Sequence, residues 1–438
     1  MANDLLTSIL EGGIRSPNFF NGRLLSGEDL NMEKAANRDA RRRLGRALGD
    51  GVAFGFDILE NTQLSTIERP VVTITPGLAV NRMGQSLMLT TNTDVTLAPS
   101  VEREEPAART FYHCTPTSPE VYIAGGGVYL IVVHPAVEKE GRAPMSSLGN
   151  GSASCNARNV VECLRFRLIK LPLTDEELGD VPHLRNVVAY KCFGVTDPGY
   201  TDYVSNPFGE HEPGYGMLDS MRPNTLTDCD VPLALIYWNT KDGIGFIDLW
   251  SVRRRITPPT SDSPWLTLTS PRRMSVGEAM FLQFQEQVAD FIQQEDNPAS
   301  LNALSCFGVL PPIGILPLDS GASGKGVNPV TFFKELTVRA AFSTVGDLVP
   351  AKKHAISDGI YIEGSQIGEL VREAVLYPPI DLDSKELIWL YVVRENMHSI
   401  EEKLVPAARP YAIFVNGHVL YRGGARFDVN RWNYSNYA

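Results

Sequence analysis

Neither a leader nor a membrane span is expected from this sequence, and the common metal and nucleotide motifs are not found in it. The start, Met1 to Gly13, carries Asp4 and Glu11 and has no basic region ahead of an apolar core, so no secretory leader is expected. The longest apolar stretch, Val121 to Val133, is interrupted by Gly125, Gly126 and Gly127 and stops at His134. That is well short of the roughly 20 residues a spanning helix needs, so no direct membrane span is expected. Cysteine is scarce: Cys114, Cys155, Cys163, Cys192, Cys229 and Cys306 include no CxxC pair. Neither a disulfide framework nor a zinc ribbon is signalled, and reduced thiols in the cytoplasm are the expectation.

Catalytic motifs are also lacking. The seven histidines form no HxH or HExxH pattern, and His113-Cys114 is the sole adjacent His/Cys couple. Asp319 to Gly326 has the glycine richness of a phosphate-binding loop, but Asp stands where the first Gly belongs and Gly326 where the magnesium-ligating hydroxyl belongs. Ser323 fails as a nucleophile elbow because Lys325 occupies the position of the second Gly. Asp381-x-Asp383 and the acids Asp197, Asp202, Glu210, Glu212 and Asp219 follow no EF-hand spacing. Asn150-Gly151-Ser152 matches a glycosylation sequon and reads as a turn. The expectation is therefore a protein with no catalytic residue, cofactor or metal.

What is present is ordinary globular material: 438 residues, 43% hydrophobic and 21% charged, enough for two to four domains. The 51 acids against 40 bases give a net charge of −11, which argues against a general nucleic-acid or anionic-membrane binder. Ser26 to Leu48 reads as a helix, because Ser26 and Asp29 make a capping-box pattern and the charges run from acidic to basic. Ala40, Leu44, Ala47 and Leu48 form its apolar stripe. The basic run Arg41, Arg42 and Arg43 reads as a solvated or subunit-contacting helix end.

From Val52 the period changes to that of strands. Val71 to Val80 and Ser86 to Leu89 flank the turn Asn81 to Gly84 as a hairpin. A second β block covers Val121 to Val133 and Cys163 to Leu171, the latter with one buried and one basic face. Leu233 to Trp238 and Ile244 to Trp250 make another hairpin. Residues 195–230 read as a long loop without periodicity, of the kind that contacts a partner or packs on itself. After the Pro/Ser/Thr-rich stretch Thr257 to Ser275, a helix is expected from the Ser275/Glu278 capping pattern, with Phe281, Phe284, Val288, Phe291 and Ile292 facing a core. A short helix at Thr331 to Ala341, a strand at Glu386 to Val393 and a hairpin across Asn416-Gly417 to His418–Tyr421 complete the reading. The expected fold class is α+β: a β-rich multi-domain chain of antiparallel hairpins and a few amphipathic helices. Its expected domains are 1–110 (helix plus β-hairpin), 111–260 (β-rich, with the 195–230 loop) and 261–438 (α+β, with an aromatic tail).

The segment Ser16-Pro-Asn-Phe19-Phe20-Asn-Gly22-Arg23-Leu-Leu-Ser26-Gly-Glu28-Asp29 resembles an N-terminal signature of phage-tail-like contractile injection systems: a double aromatic, Gly-Arg, then an acidic helix start. Thr73 to Val80 with Gly84 and Leu87 to Leu89, and Ala425-Arg-Phe427-Asp with Trp432-Asn-Tyr434, are similar to the same family. The resemblance implies a structural, non-enzymatic subunit at the baseplate or around the spike, homo-oligomeric and bound to other particle subunits. Such a protein would be assembled in the cytoplasm and docked at a membrane or released with the particle. Physically, Phe19 and Phe20 would anchor the chain, Gly22 would permit a tight turn and Ser26 would cap the helix. Candidate interaction residues are Phe19, Phe20, Arg23, Arg41, Arg42, Arg43, Tyr200, Tyr203, Tyr215, Phe427, Trp432 and Tyr434. Two other readings stand beside this one: a receptor- or glycan-binding fibre-like module that stacks sugars on Tyr200, Tyr203 and Tyr215, and a particle-borne hydrolase using a carboxylate such as Asp381.

Overall fold

The computed structural model describes residues 12–97, 125–141, 157–195, 197, 208, 216–222, 224–258, 271–319, 326–340, 361–393 and 411–419. The first helix, α1, runs over Gly27–Leu48. Ser26 Oγ accepts the Asp29 amide at 3.1 Å and the Asp29 carboxylate accepts the Ser26 amide at 3.0 Å, so the expected capping box satisfies its donors reciprocally. The expected apolar stripe behaves differently: Ala40, Leu44, Ala47 and Leu48 are exposed, and within α1 only Ala36 and Gly45 are buried. The helix meets the body through its smallest residue. A Cβ at Gly45 would stand 2.2 Å from the Gly84 carbonyl oxygen, so backbone rests on backbone there and the leucines are left outside.

Six short strands follow: β1 Gly51–Gly55, β2 Ile58–Glu60, β3 Val71–Ile74, β4 Gly77–Val80, β5 Ser86–Leu89 and β6 Thr93–Thr96. They sort into two antiparallel sheets, β1-β4-β5 and β2-β3-β6. The expected hairpin is β4–β5, while β3 and β4 part into different sheets at Pro76, which has no amide to give to a ladder.

The next sheet has the order β10-β9-β7-β8, built from β7 Gly127–Glu140, β8 Asn159–Lys170, β9 Val231–Asn239 and β10 Gly243–Asp248. Side chains alternate across it. Tyr129, Ile131, Val133 and Leu233 join Phe56, Ile74 and Leu87 of the small sheets in one core. Val128, Leu130 and Val132 pack instead on Leu184, Val188 and Cys192 of α3, Val181–Phe193, which follows the short α2, Asp175–Gly179. Phe56, Ile74 and Leu87, before residue 110, and Tyr129, Ile131 and Val133, after it, thus share one core. The basic face expected on β8 is interrupted, because Arg167 is buried. Beyond Pro135 the β7–β8 pair leaves the core and continues as a ribbon, with Val160 and Val161 exposed. The single helical turn α4, Met217–Ser220, precedes β9.

The helix α5 spans Pro271–Gln294, starting a turn earlier than the Ser275/Glu278 pattern suggests; Ser275 lies inside it and is buried. Phe284, Val288 and Ile292 enter a core as expected. The N-terminal half of α5, through Val276, Ala279 and Met280, packs on Ala189, Tyr190 and Phe193. So α5 joins the middle sheet's helix to the C-terminal unit. That unit holds the small pair β11 Val309–Leu310 with β15 Ile380–Asp381, and a larger sheet of β12 Ile313–Pro317, β17 Tyr411–Asn416, β16 Ile388–Val393 and β13 Val338–Ala340, with β14 Tyr361–Ile362 also on β16. Ala412 and Phe414 face α5, while Ile413 and Val415 face Leu370 and Ala374 of α7, Ile367–Ala374.

Two local expectations are corrected here. The helix expected over Thr331 to Ala341 is only the single turn α6, Pro329–Phe332; Glu335 at φ 74° ends the helical path and Val338 enters a parallel pairing with β16. The hairpin expected across Asn416-Gly417 does not form from β17, because β12 and β16 already occupy both its edges; residues 420–421 lie outside the described residues. The whole is an α+β, β-rich fold.

Candidate assembly surface

The N-terminal segment is held along α1 as an arm. Gly22 at φ 91° and the Phe20 carbonyl, which accepts the Arg23 amide at 3.2 Å, turn the chain at the Phe-Phe-Asn-Gly-Arg motif. Arg23 then locks the turn, donating to the Asn18 carbonyl at 2.6 Å and pairing with the Asp29 carboxylate. One carboxylate therefore serves both the helix cap and the arm. The Ser26 amide, then the Ser26 hydroxyl and the Arg23 charge, hold the Asp29 carboxyl below its ordinary range. Farther along α1, Arg43 donates to the Gly12 carbonyl, which ties the arm back to the helix.

This scaffold turns apolar side chains outward. Phe19 and Phe20 are 50% and 63% exposed, so they do not anchor on their own chain. Leu24 is 93% exposed and Leu44 69%, and Ile14, Leu25, Leu30, Met32 and Leu48 are exposed with them. Isolated surface leucines need no explanation, whereas large contiguous apolar patches are the kind of surface on which proteins bind partners. The three arginines divide their roles: Arg41 is exposed, Arg42 is half-buried and stands 3.9 Å from Asp39 one turn back on α1, and Arg43 holds the arm. Tyr200, Tyr203, Tyr215, Phe427, Trp432 and Tyr434 lie outside the described residues.

The polar residues that the sequence did not reveal are in the interior. Asp230 accepts from Arg167 Nη1 at 2.9 and 2.8 Å, from His134 Nδ1 at 2.8 Å, and from the Thr227 amide and hydroxyl at 2.8 and 2.7 Å. Burial alone would raise its carboxyl, but the His134 hydrogen bond, the Arg167 charge and the Thr227 donors hold it at about 2. A second network joins three elements: Arg185 of α3 donates to Asp248 of β10 at 2.7 Å and to Asp290 of α5 at 2.6 Å, and Gln283 reaches Asp248 at 3.0 Å.

Beside that network, Glu286 accepts the Trp250 indole N–H at 2.8 Å. Burial, followed by the Asp248 charge, pushes its carboxyl up to about 7 against the pull of Arg185. A raised folded-state value means that the contribution of this group to stability is complete below the ordinary carboxylate range and is lost as pH rises through about 7. Glu286→Gln keeps the indole acceptor and removes the charge. It is expected to stabilise the protein by about 2 kcal/mol at pH 8 and to change little at pH 4, as urea unfolding at the two pH values would measure.

Asp381 accepts the Asp383 amide at 3.0 Å in a local turn. Among the described residues no three His, Cys, Asp or Glu side chains gather as a metal site, and no helix is long and apolar enough to cross a membrane. Cys163, Cys192 and Cys306 are free thiols, whereas Cys229 is disulfide-bonded, which corrects the expectation of uniformly reduced cysteines. Compared with known families and with curated proteins, the chain matches no family model and no curated protein.

Proposed function

We propose that this chain is a non-enzymatic structural subunit of a contractile, phage-tail-like injection particle, placed at the baseplate or around the spike. It joins neighbouring subunits, further copies of itself included, through the arm and α1. The observation that carries this reading is the set of exposed apolar side chains between Phe19 and Leu48, presented by the same Phe-Phe-Asn-Gly-Arg turn and capped helix that resemble the particle family's signature. A turn fixed by Arg23 costs little additional ordering on docking, so the apolar area it presents is available as binding energy. The exposed β7–β8 ribbon supplies a second projecting element for contacts.

The test is fractionation of source-cell lysate with electron microscopy of the fractions that contain the chain. The expected result is co-migration with tail-like particles, and loss of intact particles when the gene is deleted. Recovery only as a small soluble oligomer, with particles unaffected by deletion, would overturn the reading.

A further inference from the structure

Under the C-terminal end of α1 lies a cleft of about 500 Å³, within the size range of small-molecule sites. Its lining is unlike the acidic chain around it. Arg46 of α1, Arg82 of the β4–β5 turn, Arg222 after α4, Arg254 after β10 and Arg272 of α5 line it; among the described residues its acids are Asp50 and Asp219. Asp219 positions two of these cations, accepting from Arg82 at 3.0 Å and pairing with Arg272.

Two polar atoms in the lining are buried without a partner. Ser275 is 6% exposed, lies on the first turns of α5 and has no hydrogen bond to its Oγ; Arg222 Nε is likewise unmatched. A buried hydroxyl and guanidinium N–H left unpaired carry a desolvation cost that a ligand oxygen would relieve. Arg222 sits below its ordinary value because of burial and then of Arg82's like charge, a repulsion that an anion between them would cancel. The α5 N-terminus adds its positive dipole end, with no acid in its first turn. Val231, Pro232 and Val252 leave part of the wall apolar.

We infer that this cleft binds a small phosphate-bearing ligand, its anionic group held among Arg46, Arg222 and Ser275 and its uncharged part against the Val231–Pro232 wall. Arginine forks serve carboxylates and phosphates alike. Arg254 is engaged by the Trp250, Ser251 and Arg253 carbonyls, and Arg82 and Arg272 by Asp219; Arg46 and Arg222, arriving from separate segments, suit the oxygens of a phosphate, which point in several directions, better than a planar carboxylate. This inference is independent of the particle reading.

Isothermal titration of the full-length chain with inorganic pyrophosphate, with citrate as a carboxylate of similar charge, tests it. The expected result is saturable pyrophosphate binding that weakens as salt rises. Binding should fall about tenfold in Arg46→Gln, which alters an exposed side chain, and about three- to tenfold in Ser275→Ala, which removes a hydroxyl without a partner. Absence of binding at millimolar pyrophosphate, binding unchanged in both variants, or citrate binding as tight as pyrophosphate would each overturn it.

Discussion

Replacing Asp230 with alanine is expected to destabilise the protein by about 3–5 kcal/mol, since removing one partner of a buried ion pair leaves the other uncompensated. Asp230 and Arg167 are 1% and 5% exposed, so neither solvent nor a surface rearrangement replaces the lost contacts. The variant strands the Arg167 guanidinium, the His134 ring N–H, and the Thr227 amide and hydroxyl at once. Arg167 Nε already lacks a partner, so the remaining cation would be under-satisfied. The same site sets an acid limit. Its carboxyl is depressed from 3.8 to about 2, so its contribution is complete above the ordinary carboxylate range and is lost as pH falls through about 2. At about 1.4 kcal/mol per pKa unit that contribution is about 2–3 kcal/mol. Urea unfolding of Asp230→Ala at pH 7, and of the native chain from pH 5 down to 2, measures both. A loss under 1 kcal/mol in the variant would show that the pairing contributes little.

The contrast between what was legible and what was not follows from the range over which each signal acts. The capping box at Ser26, the β4–β5 turn and the β9–β10 hairpin were readable because hydrogen bonds between near neighbours produce them. Leu44 and Leu48 misled, since spacing identifies an apolar stripe but not whether this chain or another covers it. Asn416-Gly417 carried a strong hairpin signal, yet long-range pairing gave both edges of β17 to β12 and β16. Arg167 looked solvent-facing beside Arg165, because its partner Asp230 is distant in sequence. The arginine cleft left no local trace beyond the run Arg253 to Arg255; its lining is drawn from residues 46 to 276.

The proposed assembly surface allows a change that spares the fold. Leu24 and Leu44 are so exposed that aspartate at either position desolvates nothing in the isolated chain, and L24D/L44D is expected to unfold within about 0.5 kcal/mol of the native protein. In an interface the same pair would place two carboxylates against apolar neighbours. Central apolar contacts of this kind cost 2 kcal/mol or more when spoiled, so incorporation should fall about 30-fold or further. The decisive measurement is therefore the amount of L24D/L44D in purified particle fractions from deletion cells that express it, beside its amount in the soluble fraction. The variant is predicted to be folded and soluble, and absent from the particles. Its presence there at the native level would contradict an assembly role for the arm and α1.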